Sequence, residues 1–326
     1  MEENSSKIII ASYKNGILTC VAEEGRAVLL NFETKKHSQV GNVYVGKVQN
    51  IVKNINAAFV DVGEDSPVYY SMGEEPFPVF ADRKAHDHLK AGDEIVVKIK
   101  KDAVKEKAAV CTCRFHEAGD SKFLNHALFH TAPCLLREAE PFWMHLTRSL
   151  TGKKPTDSVT DIPDVREKLS EFTDCRLYCD PQIPLFKVCS LETVVSEALS
   201  KKVWLKGGGY LVIEQTEAMT VIDVNTGKTD KKGSKEEIIL HTDLEAAEET
   251  ARQLRLRNLS GMIMVDFIDL KSGENRLQLM DCLNGFLKKD PTETKALDLT
   301  ALHIAEIVRK RSGKSFSDQY KNIDFD

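Results

Sequence analysis

Apolar residues recur along the chain in two distinct rhythms. Lys7-Ile-Ile-Ile-Ala-Ser, Ile17-Leu-Thr-Cys-Val-Ala and Arg26-Ala-Val-Leu-Leu-Asn-Phe predict three opening strands. Gly16 and Gly25 punctuate the turns between them, and Asn15-Gly16 is a hairpin-type dipeptide. From Val40 to about Cys113 the strands are shorter and are broken by Gly41, Gly46, Gly63 and Gly92. The runs there are Val43-Tyr-Val-Gly-Lys-Val, Ala57-Ala-Phe-Val-Asp-Val, Pro67-Val-Tyr-Tyr and Glu94-Ile-Val-Val-Lys-Ile-Lys. Four or five strands in about 75 residues is the spacing of a small closed barrel such as an OB-fold. A stretch without regular pattern follows to about Leu135.

The rest alternates between the two rhythms. Leu191, Val194, Val195, Ala198 and Leu199 have helical spacing. Gly207 to Gly209 then interrupt the chain before two strands, Tyr210-Leu-Val-Ile-Glu-Gln and Met219-Thr-Val-Ile-Asp-Val. A long helix is predicted from about Ile238 to Arg257, with Glu245, Glu248 and Glu249 early and Arg252, Arg255 and Arg257 late, the polarity a helix dipole favours. Next come a strand, Met262-Ile-Met-Val-Asp-Phe-Ile, and a helix from about Glu274 to Lys288. A short strand near Ala296 to Leu299 and a last helix around Leu302 to Lys310 complete the pattern. Apolar strands separated by helices predict a largely parallel sheet buried on both faces. There is no internal repeat and no low-complexity tract.

Length and charge narrow the picture. At 326 residues the chain has room for about two domains. No apolar run approaches the ~18 residues of a membrane span. Met1-Glu-Glu-Asn-Ser-Ser leads into no signal-type apolar core, so secretion is not expected. The formal net charge of −5 excludes a globally basic nucleic-acid binder, but not a local basic patch. Eight cysteines (Cys20, Cys111, Cys113, Cys134, Cys175, Cys179, Cys189 and Cys282) include no Cys-x-x-Cys pair. A reduced, cytoplasmic protein with free thiols is therefore expected rather than a structural zinc site.

The most informative segment is Val221-Ile-Asp-Val-Asn-Thr-Gly. Alternation along a strand projects Asp223 and Asn225 from one face. A second acid, Asp266, stands in the apolar strand Met264-Val-Asp-Phe-Ile. Carboxylates within apolar strands are costly unless paired. If a strand–helix–strand unit sets the two side by side, a divalent cation relieves their repulsion, and magnesium suits oxygen ligands of this kind. The other reading is that both acids mark strand ends, accepting helix-terminal N–H groups or pairing with arginines.

In the barrel, Ala58, Val60 and Val62 share one face, which leaves Phe59 outside beside Asp61. Outward aromatics on a barrel are stacking platforms for unpaired bases. Tyr69 extends such a platform, and Lys101 and Lys107 are placed to meet phosphates. A contact with a partner domain explains an outward Phe equally well, and the lysine run Lys98 to Lys107 also fits a solvated face. Weaker signals are the Gly207–Gly209 run, which enters a strand and reads as a turn, and a basic loop of Lys228, Lys231 and Lys232. His303, on the expected last helix, reads as structural.

Two long segments carry a resemblance. Gly208-Gly-Tyr-Leu-Val-Ile-Glu-Gln-Thr-Glu-Ala-Met-Thr-Val-Ile-Asp-Val-Asn-Thr-Gly227 closely resembles the catalytic core of the ribonuclease E/G family. So does the stretch from Thr242 to Asp269, with its Ala-Arg-Gln-Leu-Arg-Leu-Arg-Asn and Met-Val-Asp-Phe-Ile-Asp runs. Shorter matches are Gly41-Asn-Val-Tyr-Val-Gly-Lys-Val, Asn56-Ala-Ala-Phe-Val-Asp-Val-Gly and Glu274-Asn-Arg. The likeness covers roughly four-fifths of the chain.

The resemblance implies an α+β multidomain chain: an RNase H-like domain with an inserted OB-fold β-barrel, then a DNase I-like α/β catalytic domain. In those terms residues 1–39 and 134–200 form the RNase H-like part, 40–113 the OB-fold and 201–326 the catalytic domain. It further implies a magnesium-dependent endoribonuclease of single-stranded, often A/U-rich RNA, acting in rRNA processing or mRNA decay and leaving a 5′-phosphate and a 3′-hydroxyl. Asp223 and Asp266 match the family's metal-holding aspartates, and Asn225 the asparagine that orients the first. Phe59, Tyr69, Lys101 and Lys107 match its RNA-binding set, where the family often has Phe at the Tyr69 position.

Two departures shape the expectation. The family usually carries about a hundred residues after the barrel that sense the RNA 5′-monophosphate through an Arg-Thr pair. Here only residues 114–133 stand there, without that dipeptide, so 5′-end sensing is expected to be absent or supplied by a partner. The Cys-Pro-x-Cys motif of a zinc-linked dimer is also missing from the sequence, which leaves homo-oligomerisation to other surfaces. The competing class is a non-catalytic RNA-binding or ribosome-associated module on the same scaffold. The retained aspartates and asparagine argue against it.

Overall fold

A computed structural model describes residues 6–321, apart from 35–39, 83, 85, 102, 104–107, 116–119, 152–155, 228–232 and 301. Two compact units divide the chain: Met1–Lys35 with Phe142–Asp326, and Lys36–Pro141.

The first unit opens with the antiparallel meander β1 (Ser6–Tyr13), β2 (Gly16–Glu23) and β3 (Arg26–Thr34). Gly16 begins β2 rather than occupying the turn. A Cβ there would meet the Glu33 carbonyl oxygen at 2.1 Å, so the close approach of β3 demands glycine.

The chain then enters the second unit, through β4 (Val43–Val52), β5 (Ala57–Asp61), β6 (Val68–Ser71), β7 (Val79–Phe80), β8 (Glu94–Lys101) and β9 (Val110–Thr112). Strands pair in the order β4-β5-β6-β9-β8, and β8 returns to pair with β4, closing a five-stranded OB-like barrel. Ala58, Val60 and Val62 point inward with Val48, Tyr70, Ile95, Val97 and Ile99, as their alternation predicts. After α1 (Asp120–Ala127), β10 (Cys134–Arg137) pairs antiparallel with β4. Residues from 134 to Pro141 therefore lie with the barrel, not with the returning segment expected to start there.

Back in the first unit come α2 (Phe142–Thr151), β11 (Thr156–Thr160), α3 (Pro163–Leu169), β12 (Cys175–Leu177), α4 (Leu185–Val188) and α5 (Leu191–Leu199). β11 lies parallel to β1 and β12 parallel to β11, giving a sheet of order β12-β11-β1-β2-β3. Both faces are covered. Ile8 and Ile10 pack with Trp143, Val165 and Leu169, while Ile9 and Ala11 pack with Leu185, Leu191 and Val195. Two-sided burial is why β1 reads as an unbroken apolar run.

A second sheet completes this unit: β13 (Lys202–Trp204), β14 (Tyr210–Gln215), β15 (Thr220–Asn225), α6 (Lys235–Leu256), β16 (Gly261–Asp266), α7 (Gly273–Leu287), β17 (Thr294–Leu299), β18 (Ile304–Arg309) and α8 (Phe316–Tyr320). Its order is β13-β14-β15-β16-β18-β17. Two sequence expectations are corrected here. The sheet is largely antiparallel, because β15–β16 is its one parallel pairing. The span from 302 to 310 holds a strand, β18, rather than a last helix. Ala305 and Ile307 alternate into the core while β16 and β17 flank them on either side. Nor are both faces buried: Met262 on the open face is 53% exposed and Val308 44%.

The α6 helix links the layers. Ser234 caps it and forms a reciprocal capping box with Glu237. Ala246, Ala247, Ala251 and Leu254 face the second sheet, and Leu256 joins the cluster under the first. On the latter side Arg252 donates to Glu249, to Glu197 of α5 and to the Ala27 carbonyl of β3, the last at 2.6 Å. Arg26 donates to Glu249 at 2.6 Å, and Gln253 bridges Glu197 and Glu249 at 2.8 Å each. Burial would raise the Glu249 carboxyl, yet Arg252, Gln253 and Arg26 hold it below the usual carboxylate range.

Arg252→Ala strands a buried carboxylate and is expected to cost about 3–5 kcal/mol in urea or guanidinium denaturation. Lys201→Ala removes only the exposed pair with Glu214 and is expected to change stability by less than ~1 kcal/mol. Equal effects of the two substitutions would refute a structural role for the buried network.

Candidate functional site

The parallel pair β15–β16 sets Asp223 opposite Asp266 in register. Strand spacing puts the two Cα atoms about 5 Å apart, and both side chains leave the face away from the core, since Ile222 and Val265 beside them are fully buried. Asn225 lies on the same face, where its Nδ2 donates to Asp223 Oδ2 at 2.7 Å. Among the described residues neither carboxylate forms an ion pair. The sequence expectation of two acids side by side thus corresponds to an observed register.

Glycines support this corner. Gly227 has φ +61°, and a Cβ on it would meet the Gly208 carbonyl oxygen at 2.2 Å. A Cβ on Gly209 would meet the Asn225 carbonyl oxygen at 2.8 Å, and the Gly207 N–H donates to Glu245 Oε2 of α6 at 2.8 Å. The triple glycine is therefore a tight turn packed behind Asn225. The lysines of the 228–232 loop lie outside the described residues.

Beyond Asp266 the chain is fastened by Asp243. This α6 residue is wholly buried and its Oδ1 accepts from the Ile268 N–H at 3.1 Å. Among the described residues its Oδ2 has no hydrogen-bond partner. Burial pushes the carboxyl up from about 3.8 to about 7, against the opposing effect of the Ile268 N–H. Close by, His303 occupies the β17–β18 turn at φ +61°. Arg276 Nη1 reaches its Nε2 at 3.2 Å, and its Nδ1 contacts Asp269. An arginine can only donate, so Nε2 accepts and Nδ1 carries the proton shared with Asp269.

In the barrel unit, Phe59 is opposite Tyr69, Tyr69 opposite Val110, and Val110 opposite Lys101. The four residues form one row across β5, β6, β9 and β8. The rings of Phe59 and Tyr69 meet edge to face, centroids 5.9 Å apart, both half-buried, while Lys101 is exposed. Lys107 lies outside the described residues. Asp243, and Trp204 with its β14 register partner Tyr210, carry no sequence signal, because single residues in short or mixed segments show no period.

Comparison with known proteins gives a consistent picture. The model of the ribonuclease E/G family matches residues 95–312. The ribonuclease E of Nostoc sp. is 27% identical over 363 aligned residues, covering 87% of this chain and 53% of that protein. The ribonuclease G of Haemophilus influenzae is 28% identical over 364, covering 86% and 74%. The ribonuclease G of Escherichia coli K12 is 40% identical over 154, covering 47% and 30%. The chain thus spans about half the length of the Nostoc relative. The two long alignments exceed this chain's 326 residues, so those relatives carry residues inserted within the matched region.

Asp243 makes stability pH-dependent. The folded state holds its proton more tightly than the unfolded chain. Its contribution is therefore complete below pH ~4 and is lost as pH rises through about 7. Relative to Asp243→Asn, the wild type is expected to lose stability between pH 4.5 and 8, on the order of a few kcal/mol in urea denaturation. A constant difference between the two proteins across that range would refute the assignment.

Proposed function

From the premise that the chain belongs to the ribonuclease E/G family, we propose that it is an endoribonuclease that cuts single-stranded RNA in RNA processing or decay. The observation that carries the reading is the in-register pair Asp223–Asp266, with Asn225 bonded to the first carboxylate.

The donor set fits a magnesium ion. Two carboxylates that form no ion pair among the described residues stand on one exposed sheet face, and magnesium commonly takes one or two carboxylates together with waters and phosphate oxygens. Among the described residues no third His, Cys, Asp or Glu completes a metal-holding group, so the protein would supply two carboxylates and leave the other positions to water and phosphate oxygens. When bound, the ion would lower the pKa of a water and offset charge on the phosphoryl group. Asp223 and Asp266 would hold it. Asn225 fixes the rotamer of Asp223, so that the carboxylate needs no reorientation as the substrate arrives.

The row Phe59–Tyr69–Val110–Lys101 supports RNA binding by the barrel. Unpaired bases stack on the two rings, and Lys101 meets a phosphate at the end of the row. We assign Lys107 to the same task on the resemblance alone. With β9 ending at Thr112 and β10 starting at Cys134, the chain has no room there for a sensor of about a hundred residues. This supports cleavage indifferent to the RNA 5′ end.

A labelled, A/U-rich single-stranded RNA incubated with magnesium tests the proposal. Wild type is expected to cut it, equally with 5′-monophosphate and 5′-hydroxyl ends, and EDTA to stop it. Asp223→Asn and Asp266→Asn are expected to abolish cleavage, Asn225→Ala to slow it roughly 10–100-fold, and Phe59→Ala to weaken binding about ten-fold. Tight binding by wild type without any cleavage would instead establish an RNA-binding module.

A further inference from the structure

The open face of the second sheet carries more than the two aspartates. Trp204 is 64% exposed on edge strand β13, whereas Val203 beside it points into the core. Its register partner is Tyr210 on β14, and the register partner of Tyr210 is Asn225 on β15. Trp204, Tyr210 and Asn225 therefore form one row on the face that bears Asp223. Strand spacing and rise put Trp204 about 12 Å from Asp223.

The chemistry of this edge is specific. The two rings meet edge to face with centroids 5.3 Å apart. Lys202 sits over both, its Nζ 4.0 Å from the Trp204 centroid and 3.6 Å from that of Tyr210. Its neighbour Lys201 pairs with Glu214 at 2.9 Å, whereas Lys202 forms no ion pair among the described residues. An exposed indole beside an ammonium that pairs with no described carboxylate is suited to a ligand that offers a flat aromatic ring and a negative charge together. A nucleotide offers both.

We infer that Trp204, Tyr210 and Lys202 form a stacking subsite for an unpaired base and its phosphate on the strand of RNA that reaches Asp223 and Asp266. The inference rests on the RNA-cleaving reading above, and names a second point of grip on the unit that carries the aspartates. Trp204 takes the base on its open face, Tyr210 fixes the indole edge, and Lys202 swings from the rings to the phosphate. Such a subsite positions the strand and takes no part in bond cleavage.

Tryptophan emission offers a direct reading, because the chain has two tryptophans and Trp143 is only 3% exposed. The probe is a 2′-O-methyl A/U-rich single-stranded oligonucleotide in EDTA, beside an abasic oligomer of equal charge. Binding to wild type is expected to quench the emission and to shield it from acrylamide. Trp204→Ala is expected to bind the oligonucleotide about ten-fold more weakly, and Trp204→Phe within about two-fold. The abasic oligomer should not distinguish the three proteins.

Undiminished affinity of Trp204→Ala would overturn the subsite. So would wild-type emission indifferent to bound RNA. If Phe59→Ala loses affinity while Trp204→Ala does not, the RNA reading stands and only this subsite falls. If folded wild type binds no oligonucleotide, both fall together.

Discussion

Two like charges fixed on neighbouring strands are the constraint around which the first unit is arranged. At about 5 Å, unit charges repel by about 1 kcal/mol in water and several-fold more where the local dielectric is lower. Nothing in the side chains of Asp223 and Asp266 favours that proximity; the backbone register of β15 and β16 imposes it. A parallel pair cannot be joined by a hairpin, so the chain must leave the sheet and return through a crossover. α6 is that crossover. Its second face then has to be satisfied against the other sheet, and the Arg252–Glu249 network does so. The crossover that joins the two aspartate-bearing strands is thus itself anchored by a buried ion pair.

Much of this organisation is legible in the residues. Gly16, Gly207–Gly209 and Gly227 mark real close approaches, and the alternation of Ala58, Val60 and Val62 gives the inside of the barrel. Strand direction is less legible. Apolar runs such as Met262-Ile-Met-Val suggest burial on both faces, yet here they supply apolar residues to a solvent-facing surface. Pairing direction follows from connections, and the turn in which Thr216 bonds Met219 is too short for anything but a hairpin. The segment Ile304-Ala-Glu-Ile-Val-Arg satisfied two periods at once, since Ile304, Ile307 and Val308 also have helical spacing. Its flanking strands decided between them.

The site divides in the same way. Asp223, Asn225 and Asp266 stand out because polar residues interrupt apolar strands, a signal visible in one dimension. Asp243 is hidden within a helix already rich in acids, and only burial separates it from Glu245 or Glu248. Trp204 belongs to a strand of three residues, too short to show a period. Its partnership with Tyr210 exists only through the hairpin register.

The insertion of the barrel between β3 and α2 has a consequence for the chain as it is made. β1 occupies the centre of its sheet, with β2 on one side and β11 on the other, but about 120 residues separate the end of β3 from the start of β11. At synthesis rates of ~5–20 residues per second, the ribosome takes roughly 6–25 s to supply the missing neighbour. Throughout that interval Ile8, Ile9 and Ile10 present an unpaired apolar edge, of the kind that recruits strands from other chains. The barrel closes on strands drawn from its own contiguous segment and has no such wait. The hazard to a newly synthesised molecule therefore lies in its first strand, long before the segment that bears the aspartates has emerged.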